Sequence, residues 1–561
     1  MKKKKFLRRF SLFSLIFAVL PLILSVCVSA AKKSDKSKDQ PSGFVHADGK
    51  DIIGIDGEKL VIKGIAFGNS VWSNKINYNH HTEDSYKELS EMGFNSVRFY
   101  INYCFFEDDA APYKYKESGF KWLDKNVKWA KKYGMGIIIN MHCPQGGYQS
   151  SGNGMELWND AENQNRLIAL WKAIAERYSG EPAVWGYGLL NEPYVPLLDT
   201  MEKSAEQYFE LTDRIAKEVR KASPHQALFV ECLCNAKDIN GEKVPDYDWF
   251  VPENTFPKIN DQNVIYEFHC YSPFSFTHQG TQWAGTEGIT MTYPSEQIVS
   301  AEYENGWVGC LTADSVNTDG EWTYFESRKL QLSNNYNIAS AALYAHESEG
   351  AAYFDDITVT EISPNGKKKT LYFYDFNEGN VMGLYPWSPD GTGVLAVSDN
   401  GRNGSGCLKI SGNRTALTAS ADKFILKNGY YYVVSGYAKS DTADSKPAVR
   451  LDYAKASSCI MLDKDYLESE IKIYADYSEK HNVPIYMGEF GVISEGFKKG
   501  RNGAGWVSDI IDICEQYRIS YNYHTYHETS FGLYANNDAE LPSELNKELE
   551  KVLRDKLKRA K

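Results

Sequence analysis

Trp185-Gly-Tyr-Gly-Leu-Leu-Asn191-Glu192-Pro193 is an apolar run without alternation that stops at a carboxylate. Such a run suits a strand covered on both faces, as in a parallel sheet. Pro193 has no N–H to donate to a ladder, so pairing is expected to end there. Glu192 is thereby placed at the C-terminal tip of a strand. Val483-Pro-Ile-Tyr-Met-Gly488-Glu489-Phe490-Gly491 has the same grammar: a short apolar strand ending in a glutamate between glycines, which permit tight turns and close approach of backbone to ligand.

Around these two runs, strand-like and helix-like segments alternate. Residues 60–67 read as a first strand, 84–92 as a helix, and 93–99 as a second strand ending in Arg98-Phe99. An amphipathic helix over 122–133 feeds a third strand, 136–142, which ends in His142. Helices at 163–178 and 202–221 flank the Glu192 strand, and strands at 227–231 and 264–271 follow, the latter carrying His269-Cys-Tyr271. The right-handed crossover rule leaves a parallel barrel or a doubly wound sheet, and no Gly-x-Gly-x-x-Gly follows the first strand to favour a dinucleotide fold. In barrels of this kind active sites occupy the C-terminal strand ends.

After about Pro294 the periodicity changes. Residues 296–459 are short Tyr, Phe, Val and Thr runs broken by Gly, Asn, Asp and Ser, the pattern of an all-β sandwich. Helix periodicity returns at 466–481 and 506–517, with a final strand at 519–526 containing His524 and a closing helix over 541–561. The β segment is thus an insertion. The expected division is an export signal at 1–30, a linker at 31–43, a first barrel part at 44–295, the sandwich at 296–459 and a second barrel part at 460–561.

The export signal rests on a basic stretch Lys2–Arg9, an apolar stretch Phe10–Val26 and the small-residue site Val28-Ser29-Ala30, so secretion is expected. Leu24-Ser-Val-Cys27 gives lipid anchoring a second place, because Val26 is a poor residue before the cysteine. The net charge of −12, more negative still without the basic leader, argues against nucleic acid or anionic membrane as partner. No later stretch is apolar and long enough to span a bilayer. One of ten cysteines leaves with the signal, and the odd remainder reads as buried thiols rather than a disulfide framework or a metal site.

Two strand-end glutamates are the pair that glycoside hydrolysis requires: one carboxyl group protonates the leaving oxygen while the other attacks, or directs water to, the anomeric carbon. Together, Arg98, His142, Asn191-Glu192-Pro193, His269-x-Tyr271 and Glu489 resemble glycoside hydrolase family 5, the cellulase-type barrels. Ser275-Phe-Thr-His-Gln-Gly-Thr-Gln-Trp283 is similar to secreted bacterial members. The resemblance implies an α/β fold, a (β/α)8 TIM barrel interrupted by an inserted all-β sandwich between its sixth and seventh strands.

Carried onto this chain, the resemblance makes Glu192 the general acid/base and Glu489 the nucleophile. Arg98 would keep Glu489 ionised, Tyr271 would donate a hydrogen bond to it, and Asn191 would bind the sugar 2-OH. His142 and His269 would line the subsite beside the scissile bond. Trp72, Trp158 and Trp283 are candidates for stacking on sugar faces. Where the family usually places a tryptophan under the sugar, this chain has His524, which would exchange a flat platform for a hydrogen-bonding group.

The chemistry so implied needs no cofactor or metal. The expected partner is a polysaccharide substrate and the expected state a monomer. A β-1,4-linked plant polysaccharide is expected, cellulose-type glucan first, by a retaining double displacement. Mannanase, xyloglucanase or exo-acting β-glucosidase activity on the same barrel is an alternative. A non-catalytic carbohydrate-binding or adhesion protein would keep the sandwich and the aromatics, yet need neither glutamate. In the insertion, 321–325 and 352–359 resemble the second half of a carbohydrate-binding module, and 375–379, 406–411 and 428–435 its first half, so the expected module is circularly permuted.

Overall fold

The computed structural model describes residues 43–558, apart from 242, 287–288, 313–317, 319, 349, 378, 380, 388–393, 412–413 and 443–445. The expected export signal and nearly all of the linker lie outside the described residues.

Eight parallel strands close a barrel. In chain order they are β1 (Lys63–Phe67), β2 (Ser96–Asn102), β3 (Gly136–Cys143), β4 (Val184–Gly188), β5 (Ala227–Glu231), β6 (Val264–Cys270), β7 (Ile485–Phe490) and β8 (Ser520–Tyr523). Each pairs with its chain neighbour, and β8 closes onto β1. All eight residues of β3 are buried, because helices cover the strand outside and side chains fill the barrel within.

The helical layer contains α1 (Glu83–Met92), α2 (Glu117–Lys132), α3 (Ala161–Tyr178), α4 (Met201–Ala222), α5 (Lys464–His481), α6 (Gly503–Tyr517) and α7 (Lys547–Leu557). In α4, Tyr208, Leu211, Ile215 and Val219 recur at helical spacing and are buried, while Thr200 caps the N-terminus by accepting from the Lys203 N–H. Among the described residues, the helical structure between β5 and β6 is a 3-10 turn, Tyr247–Trp249, and one α-helical turn, Pro252–Thr255. The closing helix starts six residues later than its periodicity suggests. Asn536 accepts the Ser543 and Glu544 N–H groups and holds that stretch in a loop, and Asn546 then caps α7.

The N-terminal end of the barrel is filled by Ile138, Trp185, Phe229, Ile265 and Tyr486, packed with Val45 and Ile52 at a hairpin, His46–Asp48 paired with Asp51–Ile53. A Cβ on Gly136 would stand 2.0 Å from the Trp185 indole, so this layer requires glycine there. Barrel pairing in β4 ends at Gly188, short of Pro193; beyond it Tyr194–Pro196 pairs with Asn235–Lys237.

Between β6 and β7 the chain forms two antiparallel sheets. One contains Ser295–Thr312, Lys446–Leu462, Ile338–Ser348, Arg414–Ile425 and Leu384–Trp387; the other is centred on Tyr431–Ser440 and Ala352–Ile362. Leu343, Val449 and Leu451 from the first meet Phe354, Leu408 and Val434 from the second in one core. The sheet runs from Ser295 to Leu462, three residues beyond the exit at 459 read from the sequence, because the last strand stays paired with the first to its end.

Since α5 follows directly after Leu462, the sandwich grows from the loop after β6, on the face of the barrel where the C-terminal strand ends gather. Ser295 and Leu462 are paired residues, so the insertion enters and leaves at one point. Replacing 296–461 by a short Gly/Ser linker should therefore cost little loop entropy. The truncated barrel is expected to melt cooperatively and to retain turnover of a short soluble oligosaccharide. Loss of that turnover in a folded truncation would show that the sandwich supplies part of the cleft.

Candidate active site

The period of two along a strand sets which side chains enter the barrel. From β2 come Arg98 and Tyr100, from β3 Asn140 and His142, and from β6 Glu267 and His269, with Tyr271 just beyond. Arg98 is fully buried. Its Nη1 donates to Glu489 Oε1 at 2.6 Å, its Nε lies 2.8 Å from Glu267 Oε1, and its Nη2 donates to Asn191 Oδ1 at 3.0 Å and Asn140 Oδ1 at 3.1 Å. Glu267 reaches the guanidinium only because the neighbouring strand carries Gly488, where a Cβ would stand 1.7 Å from Glu267 Oε1.

Glu489, at the end of β7, accepts three hydrogen bonds: from Arg98, from Tyr100 Oη at 2.7 Å and from Tyr271 Oη at 2.8 Å. Burial alone would raise its carboxyl, but electrostatic interaction with His269, His524 and Arg98 outweighs burial and holds it well below the ordinary carboxylate range. The group is an ionised carboxylate with one lone-pair direction after another occupied by donors.

Glu192 lies beyond β4 with a φ of 41°, a left-handed conformation unusual for a residue with a Cβ. Its N–H donates to Glu231 Oε2 at 2.9 Å, Oε2 accepts from Ser150 Oγ, and Oε1 faces His269 Nδ1 at 3.0 Å. A register shift between Phe268 and His269 sets His269 opposite Glu489, so the same Nδ1 is also 3.7 Å from Glu489 Oε2. Burial would lower the His269 ring, but Glu231, Glu489, Glu192 and Glu267 together raise it well above its usual range. A carboxylate oxygen of Glu192 and one of Glu489 lie within 4.8 Å of each other.

Above this floor opens a cavity of about 630 Å³. Trp72 stands edge-on to His142 and Tyr148 at one wall, and Trp283 edge-on to His278 near Phe531 at another, both largely exposed. His142 is kept neutral by burial, and burial, then His524, takes His278 down to about 3. Asn191 Nδ2 is buried without a partner among the described residues, a donor left for a ligand.

His524 follows β8; its Nδ1 is 3.1 Å from Tyr100 Oη and its Nε2 3.8 Å from Glu528 Oε1. No Lys or Arg is among the described residues lining this cavity, whereas Glu192, Glu489, Glu528 and Asp538 are.

Two expectations need correction. Trp158 is not part of the cleft: it is half-buried against the barrel core, and its Nε1 donates to Gln149 Oε1 at 2.9 Å. His269 does not form a subsite wall but is a clamp between carboxylates, because the register shift pulls its ring inward. Tyr100, Glu231, Glu267, Ser150 and Glu528 were not singled out from the sequence. Tyr100 and Glu267 stand two residues from Arg98 and His269, so strand alternation was a signal for both.

Glu231, Glu267 and His269 offer atoms within 4.8 Å of one another, as do Glu192, His269 and Glu489. Arg98 touches or approaches three of these carboxylates and already supplies the cation that their mutual repulsion demands.

The cellulase domain model of glycosyl hydrolase family 5 matches residues 46–332, and the chain belongs to that family. Endoglucanase C of Acetivibrio thermocellus is 28% identical over 218 residues, which cover 38% of this chain and 58% of that protein. Cellodextrinase A of Ruminococcus flavefaciens is 28% identical over 259 residues, 44% of this chain and 69% of the relative. A solved structure of Cel5A from Thermotoga maritima in complex with mannotriose overlaps 87% of this chain and 96% of its own, at 19% identity and a TM-score of 0.43.

The charge balance at Glu489 gives a pH prediction. A carboxyl held below its ordinary range stays ionised to lower pH, so the acid limb of kcat/KM set by Glu489 should lie lower than for a free carboxylate. His269→Asn removes the leading positive neighbour, and the acid limb is expected to move to higher pH. A pH–rate profile checks this; an unmoved limb would mean that Arg98 and His524 govern Glu489 without His269.

Proposed function

We propose that the chain is a retaining, endo-acting glycoside hydrolase of β-1,4-linked plant polysaccharide, cellulose-type glucan first. The observation that carries the reading is the spacing of Glu192 and Glu489, one carboxylate oxygen of each coming within 4.8 Å of the other. Retaining enzymes hold their carboxyl groups about 5–5.5 Å apart, whereas inversion needs about 6.5–9.5 Å to seat a water. The relatives, an endoglucanase and a cellodextrinase, support a β-glucan. The leader read from the sequence supports action outside the cell, where such polymers occur.

In the proposed reaction Glu489 Oε2, on the side of Tyr271, attacks the anomeric carbon while Glu192 gives its proton to the departing oxygen. The glycosyl–Glu489 ester is then hydrolysed by a water that Glu192 deprotonates. Arg98, Tyr100 and Tyr271 fix the attacking carboxylate before substrate arrives, so no reorientation is required in the transition state. The unpartnered Nδ2 of Asn191 is the donor for the 2-OH, a contact that strengthens as the oxocarbenium ion develops. Exposed Trp72 and Trp283 on separate walls suit a chain extending through the cleft, and the absence of cations among its described lining residues suits neutral sugars over uronates.

Glu489→Ala should abolish covalent labelling by a 2-deoxy-2-fluoro glycoside, while Glu192→Ala should still label when the leaving group is activated. Unchanged labelling in Glu489→Ala, read by mass spectrometry, would remove the nucleophile assignment. His524, bonded to Tyr100 and facing Glu528, offers hydrogen bonds in place of a stacking face. His524→Trp should therefore change the ranking of gluco- and manno-configured oligosaccharides, since hydrogen-bonding groups discriminate hydroxyl configuration and a ring face does so less. Equal losses on both would make His524 structural.

A further inference from the structure

We propose that Glu231 is a positioning residue of the reaction: its carboxyl group holds the backbone of Glu192 and the ring of His269, so that the Glu192 carboxyl stays aimed at the glycosidic oxygen. The inference rests on the reading of Glu192 as acid/base.

Glu192 is held in a conformation that a residue with a Cβ rarely adopts, and such a conformation persists only where the surroundings over-determine it. An N–H turned into the protein interior at this point needs an acceptor, and the acceptor is Glu231 Oε2 at 2.9 Å. The other oxygen, Oε1, lies 3.5 Å from His269 Nδ1, the same nitrogen that faces Glu192 Oε1 at 3.0 Å. Glu231 thus touches the acid/base residue twice, once through its backbone and once through the ring that contacts its carboxyl.

Glu231 is itself fixed. It is the last residue of β5, almost fully buried, and its carbonyl accepts from Tyr208 Oη of α4 at 2.6 Å. The Cys234 thiol donates to Oε1 at 3.3 Å. Its strand partner is Glu267, which is committed to Arg98 Nε at 2.8 Å. A role as a mere counter-ion of Arg98 is the lesser one, because Glu231 stands 3.9 Å from the guanidinium, beyond the contacts that Glu267 and Glu489 make.

The test is a series of aryl β-glycosides with graded leaving groups, assayed on the full-length protein. A misaimed acid slows departure of poor leaving groups and spares good ones, which leave without a proton. Glu231→Ala should lose on the order of 100-fold in kcat/KM on the poorest leaving group and change little on the best, where general acid catalysis contributes about 100- to 10,000-fold in all. Glu231→Asp keeps the carboxyl group but shortens the reach by one methylene, and should show the same selective loss. Glu231→Gln keeps an acceptor for the Glu192 N–H and should restore most of the poor-leaving-group rate.

Should Glu231→Ala not fold, the Asp and Gln variants decide alone. Equal losses across the series in Glu231→Asp, or a Glu231→Gln variant more impaired than Glu231→Asp, would overturn the proposal. Glu192→Ala serves as the reference: if it shows no leaving-group selectivity, the acid/base reading itself falls. Selectivity in Glu192→Ala without selectivity in Glu231→Asp overturns only the role of Glu231.

Discussion

A guanidinium buried with no access to solvent is the constraint around which this barrel is arranged. Arg98 cannot lose its proton, so the interior must supply acceptors and negative charge at fixed positions. Glu489 and Glu267 do so at 2.6 and 2.8 Å, and the amide oxygens of Asn140 and Asn191 accept from Nη2. Breaking such a buried pair costs about 3–5 kcal/mol, because the surviving charge is left without a partner. The same requirement explains Gly488, whose missing Cβ is the space through which Glu267 reaches the cation. What stabilises the floor also prepares the chemistry, since the cation that needs Glu489 keeps it ionised and oriented.

His269 is the second hinge of the arrangement. One ring nitrogen stands within 3.7 Å of Glu192, Glu231 and Glu489, so three carboxyl groups gather on a single positive group, and burial raises the Glu231 carboxyl well above its ordinary range. The register shift in β6 that delivers the ring to this spot is a local break in strand regularity at the site of chemistry, as such irregularities commonly are. The left-handed backbone of Glu192 is a second break of the same kind, held by bonds at its N–H and at both carboxylate oxygens.

The sandwich and the cleft share a location in the chain. The insertion leaves the barrel after β6, the strand that carries His269, and returns just before the helix leading to β7 and Glu489. Its first and last strands are paired with each other, so the barrel sees two adjacent ends and not a domain cut in half. This is why a break between two residues of one site leaves the closed ring of eight strands intact.

The barrel strands, the insertion between the sixth and seventh of them and the two glutamates were legible in the sequence, because each rests on local grammar. Unalternating apolar runs mark strands covered on both faces, and a change from helical to twofold periodicity marks a change of architecture. The two glutamates follow from position alone, since strand ends of a parallel barrel converge. Only the tertiary structure decided which neighbours those ends meet. Glu231 ends β5 and Glu267 stands two residues before His269, so position and alternation could mark both as inward, but their partnership with Arg98 and His269 comes from the register between β5, β6 and β7. Trp158 could stack on a sugar or pack on a core with the same sequence, and a hydrogen bond to Gln149 placed it in the second role. Periodicity tells which face of an element is inward. It is closure of the sheet that brings inward residues from distant strands within a hydrogen bond of each other, and that distance decides the chemistry.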